Sequence, residues 1–238
     1  MARTHTVSAR LARRLRWHQA LHDPAHEPRN ALRWLPELRR WQAARLERSF
    51  AHFLDAPDRA LAARFFLDDV YGDRDFTRRD ADIARVLPTM QRLLPASLLG
   101  TVADAIELGA LTHALDLRMA DTLQAIAPTR RRLDDALYAE AYPAMGLPRL
   151  RRRQIRLIGA VGRGFGSALR LRGVSALLAF SRGPARLEGL SELQGFLERG
   201  YAAFDGLGNA DAFVDEIERD ESRASARLFA RESAPFGW

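Results

Sequence analysis

Apolar residues recur three and four positions apart along almost the whole chain, and that spacing is the strongest constraint on its fold. Ile83, Val86, Leu87, Met90, Leu93 and Leu94 make one such stripe; Leu150, Leu157, Ile158, Val161, Phe165 and Leu169 make another. At 100° per residue each set gathers on one face of a helix, whereas a strand would scatter it over both sides. Ala, Leu and Arg dominate while β-branched residues are sparse, so local propensity agrees with the period. Glycine and proline cut the pattern into segments of helical length. The expectation is an all-α fold, a single multi-helix domain of about nine or ten helices with no sheet. A chain of 238 residues has ample surface to bury a core. N-terminal helices over 1–55 are expected to pack on a helical core at 56–232. The tail at 233–238 is expected to be either frayed or docked by its aromatics.

Several chemistries drop out at once. There is no cysteine, which removes disulfides and thiolate metal or redox sites. No apolar run approaches the roughly 18 residues of a membrane span, and the N-terminus lacks the apolar core of a signal peptide. A cytoplasmic location is therefore expected. The net charge is +7 and all 37 basic residues are arginine. Residues 1–22 hold five of them (Arg3, Arg10, Arg13, Arg14, Arg16) and no acid, leaving 32 arginines against 30 acids in the remainder. With the excess in one arm, nucleic acid is not the expected partner. The flank of that first helix is instead expected to be solvated, with an anionic membrane or phosphate backbone as the alternative. A protein partner or a second copy of the chain is the more natural expectation.

The densest polar stretch runs from Phe65 to Pro95. Asp68, Asp69, Asp75, Asp80 and Asp82 crowd around a Tyr71–Gly72 stop between two helical patterns. Thr77 fits an N-cap with Asp80 at the third helical position, in the manner of a capping box. Helical phase puts Arg79 near the middle of the apolar stripe that follows, with Asp80 and Asp82 to either side. An inward arginine needs a partner, because an unpaired buried charge is costly. Asp75, Asp68 and Asp69 are the candidates.

A second polar intrusion is Gln154, near the centre of the stripe that starts at Leu150. Gly159, Gly162 and Gly166 line the adjacent strip, where a neighbouring backbone can come close. The same glycines do not make a phosphate loop, since GAVGRGFGS lies inside a helical pattern and follows no strand. His18 and His22, four apart, could chelate a metal, but no Asp or Glu stands at a telling distance and packing against a partner helix is the simpler expectation. His113 is expected to be solvated, opposite the stripe of Leu108, Leu111 and Leu115. A helix is predicted from Pro128 through Ala144 with Gly146 as its stop, and another after an Asn209 cap.

The polar stretch resembles an uncharacterised family of all-helical bacterial proteins. The pattern FFL-x-(D/E)-x-Y-G-x-x-D-F-x-x-R-D-x-D-x-x-R-V-x-P is met by Phe65, Phe66, Leu67, Asp69, Tyr71, Gly72, Asp75, Phe76, Arg79, Asp80, Asp82, Arg85, Val86 and Pro88. The resemblance continues through Gln154–Ile155, Gly183–Ala185 and Leu193–Glu198. It implies the helical fold and carries no activity, cofactor or catalytic residue.

The expected function is a non-catalytic helical domain acting through protein contacts, without a cofactor, in which Asp68–Asp82 and Arg79 form an internal clamp. Two alternatives carry chemistry. Asp68, Asp69 and Asp73 superficially resemble the aspartate-rich motif of class I terpenoid synthases, which holds magnesium against a diphosphate; the second motif of those enzymes is missing. A haem-type pocket with His18 or His22 as ligand rests on fold-level analogy.

Overall fold

The computed structural model describes residues 2–70, 96–169, 182 and 191–238. Among them the helical period is realised in nine α-helices, and no strand occurs. They are α1 (Ala2–His22), α2 (Trp34–Ser49), α3 (Ala51–Leu54), α4 (Ala60–Phe65), α5 (Ala96–Ile126), α6 (Asp135–Met145), α7 (Pro148–Leu169), α8 (Ser191–Asp205) and α9 (Ala210–Phe229). A 3₁₀ turn at Pro28–Ala31 precedes α2, and α4 runs on into a π-helical turn at Phe66–Val70.

The hub is α5, about 46 Å long at 1.5 Å per residue. Helices α1, α2, α6 and α7 all pack on it. Arg14 meets Asp104 and Leu21 meets His113, so α1 runs parallel to α5. Gln154 meets Thr112 and, further along α7, Gly164 lies against Thr101, so α7 runs antiparallel. With neighbours on several sides, α5 buries Leu99, Ala103, Ile106 and Ala110 as well as Leu108, Leu111, Leu115 and Met119. A helix covered this way does not keep a solvated face opposite its main stripe. That is why His113, expected in solvent, is buried. Gly109 lies inside an unbroken helix with its bare Cα facing His18.

Local chemistry explains several boundaries. Pro36 sits in the first turn of α2, where a missing N–H costs nothing. The helix predicted from Pro128 starts only at Asp135, capped by Asp134, whose side chain accepts from Leu137 N at 2.8 Å. Residues 127–132 stay out of it, and Arg33 donates to the carbonyls of Ala127, Pro128 and Arg130. Gly146, in the left-handed region at φ 72°, ends α6. Asn209 caps α9 by accepting from Ala212 N at 3.0 Å, as expected. The Asp55–Asp58 turn breaks the chain but does not cap α4, whose cap position is Arg59 with no side-chain cap bond among the described residues.

The glycines of α7 do what their spacing suggests. A Cβ on Gly162 would lie 2.6 Å from Val214 and one on Gly166 3.3 Å from Ala210, so α9 lies nearly against the α7 backbone. GAVGRGFGS is accordingly helical and opens no loop. The C-terminal tail is docked: Phe236 packs against Trp41 and Tyr138, and the Arg48 guanidinium lies 4.2 Å from the Trp238 ring centre.

Candidate functional site

Of the acidic stretch, Asp68 and Asp69 fall within the described residues, while Tyr71, Asp75, Arg79, Asp80 and Asp82 lie outside them. Asp68 is exposed and its neighbour Asp69 is buried. Both sit on the π-helical turn, whose extra residue per turn rotates successive side chains to new directions. Asp69 accepts from Arg199 Nη2 at 2.7 Å and from Nε at 3.1 Å, a forked pairing across 130 residues of sequence. Around this joint Phe65 and Phe66 meet Phe165, Phe204 and Phe213. A Cβ on Gly200 would lie 2.9 Å from Phe65, so α8 needs its glycine to approach. The α4–α8 contact thus has an aromatic interior and an arginine–carboxylate clasp at its edge.

Gln154 is buried, as its phase predicts, and opens a larger polar cluster inside the bundle. Its Nε2 donates to Thr112 Oγ1 at 2.8 Å, and its Oε1 accepts from Arg151 Nη1 at 3.0 Å. Arg151 is also buried, its guanidinium 5.0 Å from the Tyr142 ring centre; its Nε has no hydrogen-bond partner among the described residues. Tyr142 donates to Ser225 on α9 at 2.9 Å. Asp116, on the α5 face toward α2, accepts from Gln42 at 3.1 Å. Burial pushes the Asp116 carboxyl above its ordinary range, against the pull of Arg151 and Arg39. Burial likewise raises the Tyr138 hydroxyl to about 12. Asp116 and Arg151 were not singled out from the sequence. The available signals were an acid between Leu115 and Leu117, both buried, and an arginine three residues before Gln154.

The histidines form a stack. His18 faces the bare Cα of Gly109, His22 lies 4.3 Å from it ring to ring, and His113 stacks on His22 at 3.9 Å. His22 Nδ1 is 2.9 Å from the His18 carbonyl. His113 is tied at both nitrogens, to Arg39 through Nδ1 and to Asn30 and the Leu21 carbonyl through Nε2. Burial first, then the charges of His22 and Arg39, bring its pKa down to about 3. This arrangement packs α1 and the 3₁₀ turn onto α5. A different trio has ligand spacing: His52, Glu216 and Asp220 each offer one atom within 4.8 Å of the others. Arg59 already donates to Glu216 there at 2.8 Å, so these residues also work as a surface ion-pair group.

No described helix is long and apolar enough to cross a membrane. Comparison with curated proteins and with solved structures gives no match. One family profile, a domain of unknown function (DUF8198), matches residues 21–235 and so takes in every helix after α1. The chain belongs to this family.

Proposed function

We propose that this chain is a non-catalytic helical domain that acts by binding a protein partner, either another chain or a second copy of itself. The observation that carries the reading is the Asp69–Arg199 clasp. A carboxylate held by a forked arginine is poorly placed to take a metal-bound diphosphate, because its lone pairs are already in charge-assisted bonds. Asp68 and Asp69 also face different surroundings, one exposed and one buried, which is unlike a converging magnesium pair. The clamp formed by Asp75, Arg79, Asp80 and Asp82 remains part of this proposal as a structural joint. For haem, His18 and His22 make poor axial ligands while their rings pack between α1 and α5.

The test combines turnover with stability. The purified protein is assayed with prenyl diphosphates and magnesium, and Asp69→Asn is compared in thermal melts. No turnover and a loss of about 1–3 kcal/mol in the variant are expected, the cost of leaving Arg199 facing a neutral amide. Magnesium-dependent turnover abolished by Asp69→Asn would overturn the proposal. Sedimentation velocity over a range of concentrations separates self-association from a second protein as partner.

A further inference from the structure

The fold reassigns the net charge. Helix α7 contains six arginines (Arg149, Arg151, Arg152, Arg153, Arg156, Arg163) and no acid, and α1 contains five and no acid. The other 26 arginines are outnumbered by the 30 acids, so the positive excess resides in these two helices. In sequence they are 126 positions apart, from His22 to Pro148. In the fold they flank α5, and one carboxylate marks the junction: Glu107 accepts from Arg14 of α1 and from Arg153 of α7, the latter at 2.6 Å through Nε. With Asp104, which also pairs with Arg14, the two arginines and two carboxylates of the junction sum to zero, so the junction does not offset the outward-facing arginines.

Arg13, Arg16, Arg149, Arg152 and Arg156 are all exposed, and among the described residues none of the five is in an ion pair. Trp17, three residues after Arg14 and hence on the same flank of α1, is 40% exposed; Leu150, three before Arg153, is equally so. We infer that this α1–α7 face binds the phosphate backbone of single-stranded nucleic acid, with Trp17 as a stacking platform for a base. Guanidinium groups match phosphate oxygens in forked pairs. Arginine beside an exposed aromatic is the composition of sequence-tolerant single-strand binding. An anionic membrane fits less well. Adsorption needs a continuous apolar face, and the stripe of α1 (Leu11, Leu15, His18) is buried against α5. The inference is independent of the protein-partner proposal and concerns a different surface from the Asp69–Arg199 joint.

The experiment is fluorescence anisotropy of a labelled 20-nucleotide oligo-dT with the full chain, titrated across salt. Five phosphate contacts give a log–log salt slope of about −3.5, or roughly hundredfold weaker binding at 200 mM than at 50 mM salt. Arg149→Glu, Arg152→Glu and Arg156→Glu together should weaken binding at least tenfold and flatten the slope by about 2. A control reverses three other exposed arginines, Arg64, Arg131 and Arg219, for the same change in net charge; it should retain most of the affinity. Trp17→Ala should weaken binding about tenfold with the slope unchanged, as loss of stacking would. Equal losses in the two triple variants would overturn the assignment in favour of diffuse charge. So would a salt slope near zero in the native protein, which needs no variant to fold. Binding to phosphatidylserine vesicles without binding to the oligonucleotide would overturn it in favour of a lipid surface.

Discussion

The Arg39 guanidinium lies 2.9 Å from Nδ1 of His113. A guanidinium only donates, so Nδ1 is the acceptor and the ring proton sits on Nε2, 2.9 Å from Asn30 Oδ1. Asn30 is oriented in turn by its Nδ2, which donates to the carbonyls of Leu21 and Glu27. The ring is therefore fixed in its neutral form, and the 3₁₀ turn, α2 and the end of α1 are registered on α5 through it.

Burial first, then the charges of His22 and Arg39, hold the His113 pKa at about 3, since protonation would set a second buried cation against Arg39. The folded pKa lies below the unfolded one near 6.5, so between these values the unfolded chain binds the extra proton. Stability contributed by His113 is full above pH 6.5 and is lost as pH falls toward 3, at up to about 1.4 kcal/mol per pH unit. Asp116, whose pKa is raised, has the opposite sign, since acid relieves its buried charge. Urea unfolding at pH 4, 5, 6 and 7 should show the His113 slope, and His113→Gln should flatten it. A variant with the native slope would show that another group titrates.

The α7–α9 contact makes a steric prediction. Alanine for glycine inside a helix normally adds about 1 kcal/mol of stability. At Gly162 the new Cβ would meet Val214 at 2.6 Å, and overpacking of this kind costs about 1–3 kcal/mol. Gly162→Ala should therefore destabilise, while Gly208→Ala, with no described atom within 4 Å, should stay within about 0.5 kcal/mol of the native protein. Chemical denaturation of both variants decides it.

Gln154 and Arg151 act as a unit. Gln154→Leu removes the partner of a buried guanidinium and should cost about 2–4 kcal/mol. Arg151→Met with Gln154→Leu should recover part of that loss, because the stranded charge goes with its partner. A double-mutant cycle measures the coupling; simple additivity would mean that the two side chains contribute separately.

The tail contributes through Phe236, packed against Trp41 and Tyr138. Phe236→Ala should destabilise by about 1–3 kcal/mol, less than for a fully buried phenylalanine because the ring is only half-buried. Trp238→Ala should cost less than 1 kcal/mol, since its ring stacks under an exposed Arg48. Thermal melts of the two variants give the order.

What the sequence determined by itself was set by local rules: helical period, Gly146 and Asn209 as stop and cap, the close approach at Gly162, and the inward phase of Gln154. Each depends on residues a few positions apart, and backbone geometry converts that spacing into direction. The tertiary structure decided the rest, because burial depends on which helices arrive from elsewhere in the chain. His113 is buried because α1 and α2 cover a face of α5 that its own stripe left open. Asp69 finds Arg199 at a distance of 130 residues. Counting by segment put the basic excess in one arm, since acids elsewhere in the remainder masked the arginines of α7. Packing α1 and α7 around Glu107 joins two acid-free helices into one surface, a long-range juxtaposition that no local period encodes.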